Sequence, residues 1–188
     1  MIIIDDFVSD PVTRKHLQSD VPWGKQMRFN WKDRNSKSEN VFEELCHEVW
    51  TNVHQADDDV NGHGWEYWSH ILSPQGINSV PFHIDTDGIS SMEIWEEKKL
   101  IEEGVTKAAK NGFIYYCHQE KPDGGRLEVK DDDGEITQVD PVPNRLVIFD
   151  PSKEHQVTHV TSGERRSFMS NLWPETPRHI VNWIKSRG

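Results

Sequence analysis

The apolar residues in the first third of the chain recur at the spacing of a helix. Between Asn40 and about Gln55 they return every three or four positions, which gives one side of a helix an apolar surface. These residues are Val41, Phe42, Leu45, Val49, Trp50 and Val53. The pattern predicts a helix that packs against a sheet.

Beyond residue 64 the pattern changes to short runs of strand-forming residues that are separated by turn residues. Turns are indicated at Gly124-Gly125, at Asp131–Gly134 and at Ser162-Gly163. Strands of this length and spacing predict a β-barrel or a double-sheet core, so we expect a mainly β fold with flanking helices (α+β). The predicted strands are Trp65–Leu72, Val80–Asp85, Gly112–Cys117, Arg126–Lys130, Ile136–Val139, Leu146–Phe149, Gln156–Thr161 and Arg165–Trp173.

The remaining segments predict a layer of helices and loops around this core. Ile2–Ile4 indicates a first strand, and Pro after an aspartate cap predicts a short helix that begins near Asp10-Pro11. The segment Trp23–Lys37 is polar and has no regular pattern, which favours a loop. The charged stretch Met92–Lys110 interrupts the strands and should be helical in part, and Thr176–Lys185 predicts a C-terminal helix.

No internal repeat or low-complexity linker divides the sequence, and 188 residues suffice for one well-buried core. We therefore expect a single domain over residues 1–188. Its parts would be an N-terminal helical layer (1–64), a β core (65–175) with the insertion 92–110, and a C-terminal helix (176–188).

Composition and charge narrow the classes of function. The formal net charge of −11 repels phosphate backbones, which makes nucleic acid a poor partner. The two cysteines, Cys46 and Cys117, form no CxxC pair, so neither a disulfide framework nor a cysteine zinc site is expected. The sequence shows no signal-peptide pattern and no apolar run near the ~20 residues of a membrane helix. We expect a soluble, cytoplasmic protein.

The strongest local pattern for chemistry is His83-Ile84-Asp85. Residues two apart in a strand project from the same face, so the imidazole and the carboxylate can reach one metal ion together. Taken alone, this pattern is weak, and the alternative is a polar pair in a turn that continues through Thr86-Asp87-Gly88.

A second histidine, His155, strengthens the interpretation of His83 and Asp85 as a metal site. A buried strand should end near Asp150, after which the chain turns and His155 begins the next strand. Two histidines and one carboxylate on one face of an iron ion leave three positions open, and this is the ligand set of non-heme iron(II) oxygenases. The sequence therefore predicts a metal site formed by His83, Asp85 and His155.

A third pattern begins ten residues after His155. Arg165 and Ser167 should share one face of the last strand, whereas Arg166 should point to the other face. A cation and a hydroxyl side by side inside a barrel can bind a carboxylate.

Together these residues resemble the 2-oxoglutarate/iron(II)-dependent dioxygenases, and within them the prolyl-4-hydroxylase-like branch. The matching elements extend from Trp65 to Trp173. They are the His-x-Asp pattern at residues 83–85, Tyr115-Tyr116 ahead of the Gly124-Gly125 hairpin, and the run from His155 to Ser167.

The resemblance implies a double-stranded β-helix (a jelly-roll or cupin-like core) with iron(II) held by His83, Asp85 and His155. It implies that the distal carboxylate of 2-oxoglutarate pairs with Arg165, with Ser167 and Tyr116 as hydrogen-bond donors. It further implies that O2 converts 2-oxoglutarate to succinate and CO2 while an organic substrate is hydroxylated, with ascorbate as a candidate reductant. The substrate would be a protein or peptide side chain such as proline, or a small molecule.

The sequence departs from the prolyl-hydroxylase branch before the metal residues. Members of that branch usually have a tyrosine about ten residues before the His-x-Asp histidine, and the segment Leu72–Ser79 contains none. The substrate therefore stays open. Two alternatives to a hydroxylase also remain, namely a metal-binding barrel or sensor without turnover, and a nucleic-acid demethylating oxygenase.

Overall fold

The structure is a computed structural model that describes residues 1–19, 30–54, 63–88 and 93–185. The strands are β1 (Ile2–Ile4), β2 (Asn30–Asp33), β3 (Gly64–Leu72), β4 (Val80–His83), β5 (Asn111–Tyr116), β6 (Asp123–Gly124), β7 (Leu127–Lys130), β8 (Ile136–Val139), β9 (Leu146–Phe149), β10 (His155–Val157), β11 (Val160–Ser162) and β12 (Arg165–Trp173). The helices are α1 (Pro11–Ser19), α2 (Val41–Glu48, continued by a π-helical turn, Val49–Val53), α3 (Ile94–Glu102) and α4 (Arg178–Lys185). None of these helices is long and apolar enough to span a membrane.

The strands form antiparallel sheets. The larger sheet has the order β1-β9-β5-β12-β3-β2, the smaller one has the order β4-β10-β7-β8, and β11 pairs with β6. Strand β12 lies in the middle of the larger sheet, where Arg165 pairs with Leu72 of β3 and Ser167 pairs with both His70 of β3 and Tyr116 of β5. Paired residues in an antiparallel sheet project from the same face, so this register decides which side chains meet.

One face of the larger sheet packs against the N-terminal helices. Helix α2 begins after Asn40, whose Oδ1 accepts hydrogen bonds from the backbone N–H groups of Phe42 and Glu43. The ring of Phe42 lies 4.8 Å from that of Phe168, and the ring of Trp50 lies 5.3 Å from that of Phe113. The expected packing of this helix on a sheet is therefore confirmed. The buried residues of this core are Leu17, Phe42, Leu45, Cys46, Val49, Trp50, Trp65, Phe113, Tyr115, Cys117, Leu146, Ile148, Phe168 and Leu172.

The other face of the larger sheet forms a second core with the smaller sheet. Its buried residues are Ile114, Tyr116, Leu127, Val129, Val139, Val147 and Phe149. We call this the inner face, and Arg165, Ser167 and Asn171 of β12 belong to it through their pairing with Tyr116 and Gly112. The two cores together explain why β5 and β9 are apolar on both sides.

Three expectations about the strands were wrong in detail. The segment Trp23–Lys37 contains a strand, β2, because Lys32 is buried against Glu43 at an Nζ–Oε2 distance of 2.8 Å and so substitutes for an apolar residue. The strand expected over Val80–Asp85 ends at His83, and the strand expected over Gln156–Thr161 is divided into β10 and β11. The predicted helix end at Gln55 and the start of the insertion at Met92 lie outside the described residues.

Candidate functional site

His83, Asp85 and His155 meet at the edge of the smaller sheet. His83 ends β4 and is the cross-strand partner of His155, which begins β10. Their ring centroids are 4.2 Å apart. One potential ligand atom from each of the three residues lies within 4.8 Å of the others. The arrangement predicted from the sequence is therefore present, although the pair of histidines meets across strands and Asp85 follows the end of its strand.

The hydrogen bonds of the two imidazoles leave their other nitrogens available for a metal. His83 Nδ1 lies 2.9 Å from the carbonyl oxygen of Pro81, and His155 Nδ1 lies 2.8 Å from that of Lys153. An Nδ1–H that donates to a carbonyl fixes the tautomer in which Nε2 carries a free lone pair. Burial also lowers the pKa of His155, which favours the neutral ring that binds metals.

Asp85 is positioned by its backbone and by one side-chain contact. Its N–H donates to the carbonyl of Pro151, and its carbonyl accepts from the N–H of Ala109, at 3.0 Å and 2.9 Å. Asn171 Nδ2 donates to Asp85 Oδ2 at 2.9 Å. The other oxygen, Oδ1, faces the histidines and lies 3.5 Å from His83 Nε2 and 3.8 Å from His155 Nε2. The carboxylate thus has one oxygen held by the protein and one that is available to a metal.

Asn171 was not identified from the sequence, although the alternation of β12 contains the signal. It lies six residues after Arg165 and therefore on the same face of the strand. Its neighbour on β5 is Gly112, where a Cβ atom would lie 2.6 Å from Asn171 Oδ1 and 3.0 Å from Pro151 Cγ. The glycine leaves the space that Asn171 needs to reach Asp85.

Arg165 is fully buried on the inner face and has no acidic partner among the described residues. Its Nε donates to the carbonyl of Gly125 at 3.0 Å, and its Nη1 donates to Ser167 Oγ at 2.6 Å. Its Cζ lies 5.1 Å from the centroid of the Tyr116 ring. Arg165 and Ser167 thus share a face as expected, while Arg166 is half-buried on the other face and pairs with Glu164.

One donor of this arginine and one donor of the neighbouring tyrosine have no hydrogen-bond partner in the described part of the chain. They are Arg165 Nη2 and Tyr116 Oη, and both are buried. Burial raises the pKa of Tyr116, so its hydroxyl keeps its proton and can donate. Unpaired buried donors are costly and therefore rare. A buried cation with one unpaired donor, next to the unpaired hydroxyl of a tyrosine, is a site that fits a carboxylate from outside the chain.

His70 also belongs to this group, and nothing in the sequence pattern singled it out. It pairs with Ser167 from the β3 side, opposite Tyr116 on the β5 side, and its Nε2 is buried without a partner among the described residues. Burial, and then the positive charge of Arg165, lower the pKa of His70 to about 4. At neutral pH the imidazole is therefore uncharged.

A family model decides between the classes of protein that this geometry allows. The model of the 2OG-Fe(II) oxygenase superfamily matches residues 78–173, which is just over half of the chain and includes the three metal-site residues and Arg165. This chain belongs to the 2OG-Fe(II) oxygenase superfamily. The cofactors expected from the sequence, iron(II), 2-oxoglutarate and O2, are those of the family.

Several solved structures share the fold of this chain. A prolyl-4-hydroxylase from Pseudomonas putida is 16% identical with a TM-score of 0.57, and the match covers 92% of this chain and 91% of that one. A prolyl hydroxylase from Trichoplax adhaerens, in complex with a hypoxia inducible factor oxygen degradation domain peptide fragment, is 14% identical with a TM-score of 0.57, over 95% and 86% of the two chains. A viral collagen prolyl hydroxylase from Paramecium Bursaria Chlorella virus-1, in complex with 2-oxoglutarate, is 15% identical with a TM-score of 0.53, over 90% and 93%.

At these identities the likeness concerns the fold, and it confirms the expected double-stranded β-helix of the oxygenase. A search among curated proteins finds no significant match.

The partly buried imidazole of His70 predicts a pH dependence of stability. The pKa of His70 is lower in the folded chain, about 4, than the ordinary value of 6.5, so the unfolded chain binds more protons between these two values. The contribution of His70 to the free energy of unfolding is therefore complete above about pH 6.5 and is lost as the pH falls toward 4. The metal-free oxygenase should therefore lose more stability between pH 7 and pH 5 than its His70→Gln variant. Urea unfolding at the two pH values measures this, and an equal loss in both proteins would contradict the assignment.

Proposed function

We propose that this oxygenase holds iron(II) with His83, Asp85 and His155 and binds the distal carboxylate of 2-oxoglutarate with Arg165, Ser167 and Tyr116. The observation that carries the proposal is a group of three possible metal ligands in the same fold as a buried arginine that has no acidic partner in the described part of the chain. A metal-storing or sensing barrel has no use for that arginine. The net charge of −11 disfavours a nucleic-acid substrate.

When bound, iron(II) supplies the centre at which O2 and 2-oxoglutarate react to give succinate, CO2 and a hydroxylated product. The two Nε2 atoms and Asp85 Oδ1 would bind one side of the ion and leave the other side to the co-substrate and O2. Asn171 keeps Asp85 in the rotation that presents a single oxygen. The contacts of His83 and His155 with carbonyl oxygens keep both rings in the metal-binding tautomer.

Arg165 would supply the charge that selects a dicarboxylate. Its Nη2 and the hydroxyl of Tyr116 have no hydrogen-bond partner within the described residues, while its Nε and Nη1 are already fixed by Gly125 and Ser167. A guanidinium that is held in place before the ligand arrives loses little freedom on binding. The apolar core below Tyr116, formed by residues such as Leu127 and Val129, keeps water from this end of the site.

The substrate that we propose is a protein or peptide side chain, with proline as the first candidate. The support is the fold shared with prolyl hydroxylases, of which the Trichoplax adhaerens enzyme is in complex with a peptide. The insertion at 92–110 is a further candidate contact: α3 is joined to the residue before His155 through an ion pair between Lys98 Nζ and Glu154 Oε1 at 2.6 Å.

The metal assignment predicts that His83→Ala and His155→Ala remove iron(II) binding and all turnover of 2-oxoglutarate. Each variant loses one of the three proposed protein ligands. Anaerobic calorimetric titration measures the affinity, with His159→Ala, at an exposed histidine close in sequence, as the matched control. Unchanged iron affinity in both histidine variants would refute the triad.

Asn171→Ala should weaken iron binding by roughly tenfold to a hundredfold in the same titration, since Asn171 acts through Asp85.

The carboxylate assignment predicts that Arg165→Ala weakens 2-oxoglutarate binding by roughly tenfold to a thousandfold while iron(II) still binds. The variant removes the charge that compensates the distal carboxylate. Arg166→Ala is the control because this residue contacts Glu164 and the carbonyl of Gln18 on the opposite face. Anaerobic titration of the iron-loaded proteins gives both affinities. Loss of binding in the Arg166 variant with normal binding in the Arg165 variant would contradict the assignment.

The substrate proposal predicts that a prolyl peptide gains the mass of one oxygen atom for each succinate formed. A panel of prolyl peptides, peptides without proline and small metabolites, followed by mass spectrometry, makes the comparison. The Asp85→Ala oxygenase is the control, since it loses a metal ligand. Oxidation of the other peptides or of a metabolite, with prolyl peptides unchanged, would exclude proline and leave the enzyme class intact.

A further inference from the structure

Three strands of the larger sheet place a continuous polar row on its inner face. Tyr116 of β5, Ser167 of β12 and His70 of β3 are successive cross-strand partners. Directly paired side chains in such a row have Cβ atoms about 4.5 to 5.5 Å apart, and diagonal neighbours are about 7 to 8 Å apart. Arg165 is the diagonal neighbour of His70 and extends over Tyr116. His70 therefore borders the group that would receive the carboxylate.

The Tyr116 hydroxyl can accept from Arg165 as well as donate, whereas the buried His70 Nε2 has no acceptor among the described residues. Arg165 Nη2, Tyr116 Oη and His70 Nε2 are all buried and without a partner there. The guanidinium can only donate, and the neutral imidazole donates from Nε2 in one of its two tautomers. A carboxylate has two oxygens and about four lone-pair positions, which is enough to accept from all three.

We propose that His70 is a co-substrate-binding residue that donates from Nε2 to the distal carboxylate and selects dicarboxylic over monocarboxylic 2-oxo acids. The inference rests on the proposed function, because it assumes that Arg165 receives that carboxylate. It adds a residue that lies on β3, away from the run of residues 155–167.

The alternative is a histidine that only fills space in the barrel. Such a residue would have its nitrogens paired within the protein or would be replaced by an apolar side chain, since an unpaired buried donor is destabilising. His70 also cannot serve as a charged partner, because its low pKa keeps it neutral beside Arg165. The presence of an unpaired buried Nε2 on His70 is explained if a ligand provides the missing acceptor.

The test compares two ligands that differ only at the distal end. 2-Oxoglutarate and 2-oxopentanoate have the same chain, but the second has a methyl group in place of the distal carboxylate. Their affinities are measured by anaerobic calorimetry on the iron-loaded oxygenase, so that no turnover occurs. The variants are His70→Leu, which removes the donor, and His70→Gln, which keeps an N–H donor. Ser69→Ala, on the opposite face of the same strand, is the matched control.

We expect His70→Leu to weaken 2-oxoglutarate binding by roughly tenfold to a hundredfold, the range for a hydrogen bond to a charged group. Binding of 2-oxopentanoate should stay unchanged, and His70→Gln should lose less than His70→Leu. An equal loss for both ligands would show that His70 acts through packing and would overturn the proposal. Unchanged 2-oxoglutarate affinity in His70→Leu would overturn it as well.

The same titrations separate this inference from the proposed function. If Arg165→Ala binds 2-oxoglutarate normally, the proposed function fails. If Arg165→Ala binds weakly while His70→Leu binds normally, only the role of His70 fails.

A second measurement needs no variant of His70. In the isotope-labelled wild-type oxygenase, 2-oxoglutarate should shift the nitrogen resonance of His70 Nε2, and 2-oxopentanoate should not. A resonance that responds to neither ligand would refute the contact.

Discussion

The pairing of β12 with β3 on one side and β5 on the other is the constraint on which the site depends. Side chains alternate between the two faces of a strand, so a shift of one residue would exchange every inner residue of β12 for an outer one. In the observed register Arg165, Ser167 and Asn171 lie on the inner face. Phe168 lies on the other face, in the core between the larger sheet and the N-terminal helices. The same register thus places the proposed carboxylate site around Arg165 and the Asn171 side chain that donates to Asp85.

The buried guanidinium of Arg165 explains the arrangement around it. Arginine is not discharged in proteins, and an uncompensated buried charge is destabilising by several kcal/mol, of the order given for broken buried ion pairs. Part of the charge is compensated by hydrogen bonds to the carbonyl of Gly125 and the hydroxyl of Ser167, and by the contact with the Tyr116 ring. Under the proposed function, the carboxylate of the co-substrate would supply the remaining compensation, and its binding would then stabilise the folded chain.

The sequence predicts those parts of the site that follow from local periodicity. The faces of Arg165, Ser167 and Arg166 follow from the two-residue repeat of a strand, and the approach of His83 to Asp85 follows from their spacing. The alternation of β12 puts Asn171 on the face of Arg165, but its contact with Asp85 and the position of His70 beside Ser167 depend on how separate strands and sheets meet. Register between strands is not encoded in a local pattern. Strand β2 was missed for a similar reason, since the buried Lys32 pairs with Glu43 of helix α2 and with the carbonyl of Lys37, contacts that no local pattern shows.

We propose that this chain uses O2 to split 2-oxoglutarate at a metal centre held by His83, Asp85 and His155. The most direct test supplies the iron-loaded oxygenase with 2-oxoglutarate and dioxygen labelled with a heavy oxygen isotope, and analyses the succinate by mass spectrometry. We predict succinate that carries one labelled oxygen atom, released together with an equal amount of CO2. Succinate without the label, or no succinate from protein that demonstrably holds iron(II), would contradict the account.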